Sequence, residues 1–238
     1  FGLFTACRKL QQKDQAEKYG KRFQELEAFD RHAATNRNVD EDTLSGLPIV
    51  REMVAKTYSG GGQIYYQHKD FPQAEKLWRK SAGLDANNTV CRAALMTLYL
   101  RQKQESQALE LFDQLAKEQP ESGLNHYYRG RLLVRLRQFD AAEQAYRKVT
   151  ELSPGQPEGY RSLAELYLKT NRRLAEAKAL VQKVVELQPS ATNFFLLAAA
   201  CAKNEDLDGA RVAMGRAVEM DPDNADYRQF YERIKKGQ

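Results

Sequence analysis

A chain of 238 residues with 42% hydrophobic side chains has enough apolar matter for a packed core, and its formal net charge of +5 permits an acidic partner without demanding one. Its longest wholly apolar run, residues 194–202, falls far short of the roughly 20 residues needed to cross a bilayer. Cys7, Cys91 and Cys201 are isolated and odd in number, with no C-x-x-C spacing, so Cys201 in that apolar run reads as a buried thiol and the compartment stays open.

Residues 1–35 read as a half-lost copy of the unit that fills the rest of the chain. Leu3, Phe4 and Cys7 fit the end of a first helix, and Ala16 and Phe23 fit a second. Because the chain opens on Phe1 rather than Met, it reads as a fragment or processed form with further units upstream. Residues 36–48 (NRNVDEDTLSGLP) are polar and acidic, end in Gly46 and Pro48, and are expected to form a loop.

From residue 49 to 224 one pattern recurs, with units at 55–88, 89–122, 123–156, 157–190 and 191–224. Ala108, Phe112, Leu115 and Pro120 return one unit later, at a constant offset, as Ala142, Tyr146, Val149 and Pro154. The alanines opening the second half of each unit, Ala74, Ala108, Ala142, Ala177 and Ala210, are spaced 34, 34, 35 and 33, which puts an extra residue in the turn near 171–174. Apolar residues at steps of three and four predict two amphipathic helices per unit, and Pro120, Pro154, Pro189 and Pro222 are expected to end the second helices. The first unit has Ala86 at that place, so its second helix is expected to be frayed or longer. Three glycines in Ser59–Gly62, each costing roughly 1 kcal/mol in a helix, are expected to mark very close helix packing, the alternative being a kink or close backbone approach to a ligand. Residues 225–238, with Tyr227, Phe230, Tyr231 and Ile234, are expected to be a capping helix.

This 34-residue unit with its A-x3-F…P ending resembles the tetratricopeptide repeat. The resemblance implies an all-α fold, a right-handed superhelical solenoid of helix–turn–helix repeats, and a protein–protein interaction scaffold. Its binding surface would be the concave groove, lined by first-helix residues that packing does not use. Carried onto this sequence, those include Lys56, Ser59, Gln63 and Tyr66, then Arg101, Tyr127, Arg131 and Arg135, then Arg161, Lys169, Phe195 and Lys203. Basic residues outnumber the acidic ones on this face (Glu158 and Glu165), and arginines beside tyrosines suit an acidic peptide. Family members that hold the acidic tail of chaperones use a Lys, Asn and Arg clamp. The matching places here hold Ser59, Gln63, Ala94, Leu124 and Tyr128, so that specialisation is not expected.

No catalytic, metal or cofactor site is expected. His32, His68 and His126 are scattered, with no second ligand at helical spacing and no nucleophile tied to them. Nucleic acid is the less favoured acidic partner, because there is no run of basic residues. The alternative function is self-association, or docking within a larger, multidomain protein. The regular units and turns such as Asp221–Asn224 read as bacterial in style.

Overall fold

The computed structural model describes residues 41–235, with side chains from Pro48 onward. Among the described residues there are eleven helices and no strand. They are α1 (Glu41–Gln67), α2 (Phe71–Leu84), α3 (Thr89–Arg101), α4 (Glu105–Glu118), α5 (Gly123–Arg135), α6 (Phe139–Leu152), α7 (Pro157–Thr170), α8 (Leu174–Leu187), α9 (Ala191–Lys203), α10 (Leu207–Met220) and α11 (Ala225–Lys235). They form an all-α helical-repeat solenoid. Two compact units divide it, one ending at Tyr128 and the other beginning at Arg129.

The turn inside each repeat is built the same way. Lys69, Lys103, Arg137, Asn171 and Glu205, one at the same place in every repeat, each take a left-handed φ between 53° and 62°. The next residue donates its N–H back across the turn, as in Asp70 N to Tyr65 O (2.9 Å), Gln138 N to Leu133 O (2.8 Å) and Asp206 N to Cys201 O (3.0 Å). A left-handed residue with that back-bond satisfies the last carbonyls of the first helix and reverses the chain. The fourth repeat carries one residue more: Arg173, also left-handed at φ 49°, is inserted after the common turn and precedes α8. Side-chain caps by Asp70, Asn88, Ser190 and Asp206 start four of the helices, each cap being worth about 1 kcal/mol.

The core depends on close approach within each helix pair. A methyl group built on Gly62 would sit 2.8 Å from Trp78 Cε2, and one on Gly130 2.5 Å from Tyr146 Cε1. Glycine is therefore required at both places, because the partner's ring lies against the first helix's backbone. Ser59 is not a surface residue: it is buried beside Ser81 (Oγ to Oγ, 2.9 Å), and both hydroxyls accept from Asn88 Nδ2. Its carbonyl accepts from Trp78 Nε1 at 3.1 Å.

Two expectations are corrected. The predicted loop at 36–48 is helical from Glu41 onward, and α1 runs through Pro48 without ending. Acidic residues suit the first turn of a helix as well as a loop, and packing of the segment beyond residue 49 outweighs the weak local propensity. The remaining residues of that loop, and the half-repeat expected at 1–35, lie outside the described residues. The second correction concerns α2, which is neither frayed nor longer; it spans 14 residues, as do α4, α6, α8 and α10. Its C-terminus is fastened by Arg92 instead of a proline. This side chain is fully buried and uses all five of its N–H donors. Nη1 donates to Asp85 O (2.8 Å) and Asn88 O (3.1 Å), Nη2 to Ala82 O (3.1 Å) and Gln119 Oε1 (2.9 Å), and Nε to Asn125 Oδ1 (2.6 Å). Burial lowers the guanidinium's pKa from an ordinary value so high that the group stays a cation.

Candidate functional site: the exposed face of the first helices

In the N-terminal unit the odd-numbered helices α1, α3 and the start of α5 carry the predicted surface. Lys56 and Gln63 are exposed on α1 and line a groove of about 1000 Å³ closed on its other side by the α2–α3 turn, residues 84–90. Lys56 forms an exposed ion pair with Glu52 at 2.5 Å. Tyr66 and Arg101 are brought together although 35 residues apart: Arg101 Nη1 donates to Tyr66 OH at 2.5 Å and its guanidinium lies 5.7 Å from the ring centroid. The far side of Tyr66 rests on Trp78 and Phe71, so its body is fixed and its hydroxyl end stays at the surface. Tyr127 meets Tyr128 edge-on at 5.3 Å, and Tyr128 stacks on Phe112.

The C-terminal unit presents α5, α7 and α9. Arg131 and Arg135 are exposed on α5, and Arg131 faces Glu165 together with Arg161. Desolvation raises the Glu165 carboxyl above its ordinary range against the pull of the two arginines. Arg161 donates from Nη2 to Gln188 Oε1 at 3.0 Å, while its Nε is buried without a hydrogen-bond partner. Lys203 donates to Asn171 Oδ1 at 3.3 Å. Lys169 and Arg135 belong to one cavity of about 750 Å³, with Val134, Arg137, Phe139, Thr170 and Arg172. Phe195 departs from the expectation of a ligand-facing ring. It stacks on Tyr227 (5.3 Å) and meets Phe230 edge-on (5.5 Å), so α11 covers it.

Sequence reasoning missed a motif on the other face that recurs two repeats later. In the N-terminal unit Arg79 Nη2 donates to Tyr99 OH (2.6 Å), which donates to Glu75 Oε1 (2.5 Å). In the C-terminal unit Arg147 donates to Tyr167 OH (2.8 Å), with Glu143 at Arg147 Nε (3.2 Å). Burial, and then the neighbouring carboxylate, push both phenols up to about 12, so they remain donors at neutral pH. The group is a brace between repeats, because every member is occupied. It was legible as Glu-x3-Arg on one second helix with a Tyr on the first helix that follows.

His126 donates from Nε2 to Pro120 O (3.1 Å), and Tyr160, one repeat on, donates from its hydroxyl to Pro154 O (3.2 Å), so both fasten a proline turn. Cys91 and Cys201 are buried thiols. Among the described residues no three His, Cys, Asp or Glu side chains are grouped to hold a metal ion, and no helix is long and apolar enough to cross a membrane.

Residues 94–157 and 133–201 each match a family model described as a tetratricopeptide repeat. No curated protein matches the chain. Among solved structures, YrrB, described as a TPR protein with an unusual peptide-binding site, is 19% identical over 87% of this chain and 99% of its own, with a TM-score of 0.57. MamA residues 41-end from Desulfovibrio magneticus RS-1 is 19% identical over 72% of this chain and 97% of its own, with a TM-score of 0.56. Yeast Tom70 is 20% identical over 94% of this chain and 50% of its own, with a TM-score of 0.64. At these identities the likeness is one of fold.

Proposed function

We propose that this chain, which belongs to the tetratricopeptide repeat family, is a protein-interaction scaffold that holds a segment of a partner protein on the exposed face of its first helices. The observation that carries this reading is the set of cations and aromatic bodies that this face carries. In the N-terminal unit it offers Lys56, Gln63 and the Tyr66–Arg101 pair. In the C-terminal unit it offers Arg131, Arg135, Arg161, Lys169 and Lys203. Planar cations and rigid aromatic bodies on rigid helices recognise carboxylates and apolar side chains at a small entropic cost. YrrB, of like fold, is described as having a peptide-binding site, which supports a peptide as the ligand class. We read the chain as a binding protein and not an enzyme, since His126 fastens a turn and Glu75, Glu143 and Glu176 pair with arginines.

The test is affinity capture from the source organism's lysate with the chain and with its Arg131→Glu/Arg135→Glu form, both shown folded by circular dichroism. A protein retained by the first and lost by the second is the expected result. Equal recovery by both forms contradicts the reading, and recovery of nothing but the bait shifts the weight to self-association.

A further inference from the structure

The cavity between the α5–α6 and α7–α8 turns is rich in cations. Arg135, Arg137, Lys169 and Arg172 line its 750 Å³ together with Val134 and Phe139. Arg172 is held at one rim by Asp140 (Nη1 to Oδ1, 2.7 Å), and Asp140 is itself 81% exposed. Arg135 and Lys169 stand in the last turns of α5 and α7. Each helix C-terminus carries about half a negative charge. Arg137, Lys169 and Arg172 against Asp140 leave an excess of about two positive charges, because the negative C-terminal ends of α5 and α7 are offset by the positive N-terminal ends of α6 and α8 at the same turns.

The excess is local. The equivalent turn of the last repeat carries Glu205 and Asp206, and Asp206 is tied to Lys178 at 2.5 Å and to Gly209 N at 2.8 Å. Glu165 stands in the α7 turn before Lys169, and Glu143 and Glu176 bind Arg147 beyond the α7–α8 turn. A polyanion would have to cross these carboxylates to leave the cavity, whereas a short segment with two acids need not. The half-buried Val134 and Phe139 offer apolar surface beside the cations.

Resting on the reading of the chain as a scaffold for partner segments, we infer that this cavity takes a pair of carboxylates flanking an apolar side chain in the bound segment. Arg137 and Arg172 supply planar donors, Lys169 supplies charge, and Phe139 meets the apolar residue. The cavity thereby sets which segments the scaffold accepts.

The probe is a displayed library of random 12-residue peptides, selected on the chain and titrated by fluorescence anisotropy. Parallel titrations use Arg137→Gln/Arg172→Gln, Lys117→Gln on the exposed side of α4 as a control outside the proposed surface, and a 12-nucleotide oligothymidylate. The expected result is enrichment of Asp or Glu around an apolar residue, with affinity falling roughly tenfold or more in the double variant and unchanged in the control. Binders without acidic enrichment, or with unchanged affinity for the double variant, overturn this inference and leave the scaffold reading standing. Oligothymidylate that binds more tightly than the peptides, and is weakened by the same substitutions, overturns it in favour of nucleic acid. A library that yields no binder at all counts against the scaffold reading as well.

Discussion

Arg92→Ala is expected to lower the free energy of unfolding in urea by about 3–5 kcal/mol, the cost of breaking a buried, fully satisfied charged node. The guanidinium joins the end of α2, the start of α3, Gln119 after α4 and Asn125 on α5, all within the N-terminal unit. Truncation leaves the fully buried Asn125 Oδ1 without its donor, at about 1–3 kcal/mol for a group left unpaired, while Asp85 O and Gln119 Oε1 keep one donor each, Asn88 N and Asn125 Nδ2. His126→Ala provides the control, since His126 holds the same register one repeat later but makes a single bond to the Pro120 carbonyl at a partly exposed position. Its loss should cost about 1 kcal/mol or less. Equal effects of the two substitutions would show that Arg92 is not the fastening of α2.

Gly62→Val is the second large effect. In an open helix the change would stabilise by a few tenths of a kcal/mol, because glycine is the poorer helix former. Here the added carbons run into the Trp78 indole, which is 1% exposed and held by its bond to Ser59 O, so the ring has nowhere to go. Overpacking of this kind costs about 1–3 kcal/mol and outweighs the propensity gain. Trp78→Ala alone should cost about 3–5 kcal/mol. The double variant should be destabilised by clearly less than the sum of the two, because valine then fills part of the void. Additive losses would mean that glycine is needed for backbone reasons and not for the ring.

The repeat was legible because it is written in side-chain volume. Gly62 before Trp78 and Gly130 before Tyr146 declare a close helix pair, and the constant spacing of Ala108 and Pro120 from their counterparts declares its repetition. The extra residue near 171–174 was legible for the same reason, and the structure identifies it as Arg173. The left-handed turn residues were not, since lysine, arginine and glutamate occupy a conformation usually announced by glycine. Arg92 stands in the register of Tyr58, His126, Tyr160 and Phe194, and a charge among rings was the available signal of a buried node. Ser59 and Phe195 misled because register alone decides which face a residue occupies. Burial of Ser59 depends on Ser81 and Asn88, and coverage of Phe195 depends on a helix beyond the last repeat. Arg172 escaped notice because it lies in a turn and not on a helix, where the family pattern places its binding residues.

The central claim, that a partner segment lies on the first helices, is tested most directly by lysine cross-linking of the captured complex with mass-spectrometric mapping. Exposed lysines divide cleanly between the faces, with Lys56, Lys169 and Lys203 on first helices and Lys76, Lys117 and Lys183 on second helices. The account predicts partner cross-links concentrated on the first set, with the second set modified only by singly attached reagent. Cross-links concentrated on Lys76, Lys117 and Lys183 would place the partner on the opposite face and contradict it.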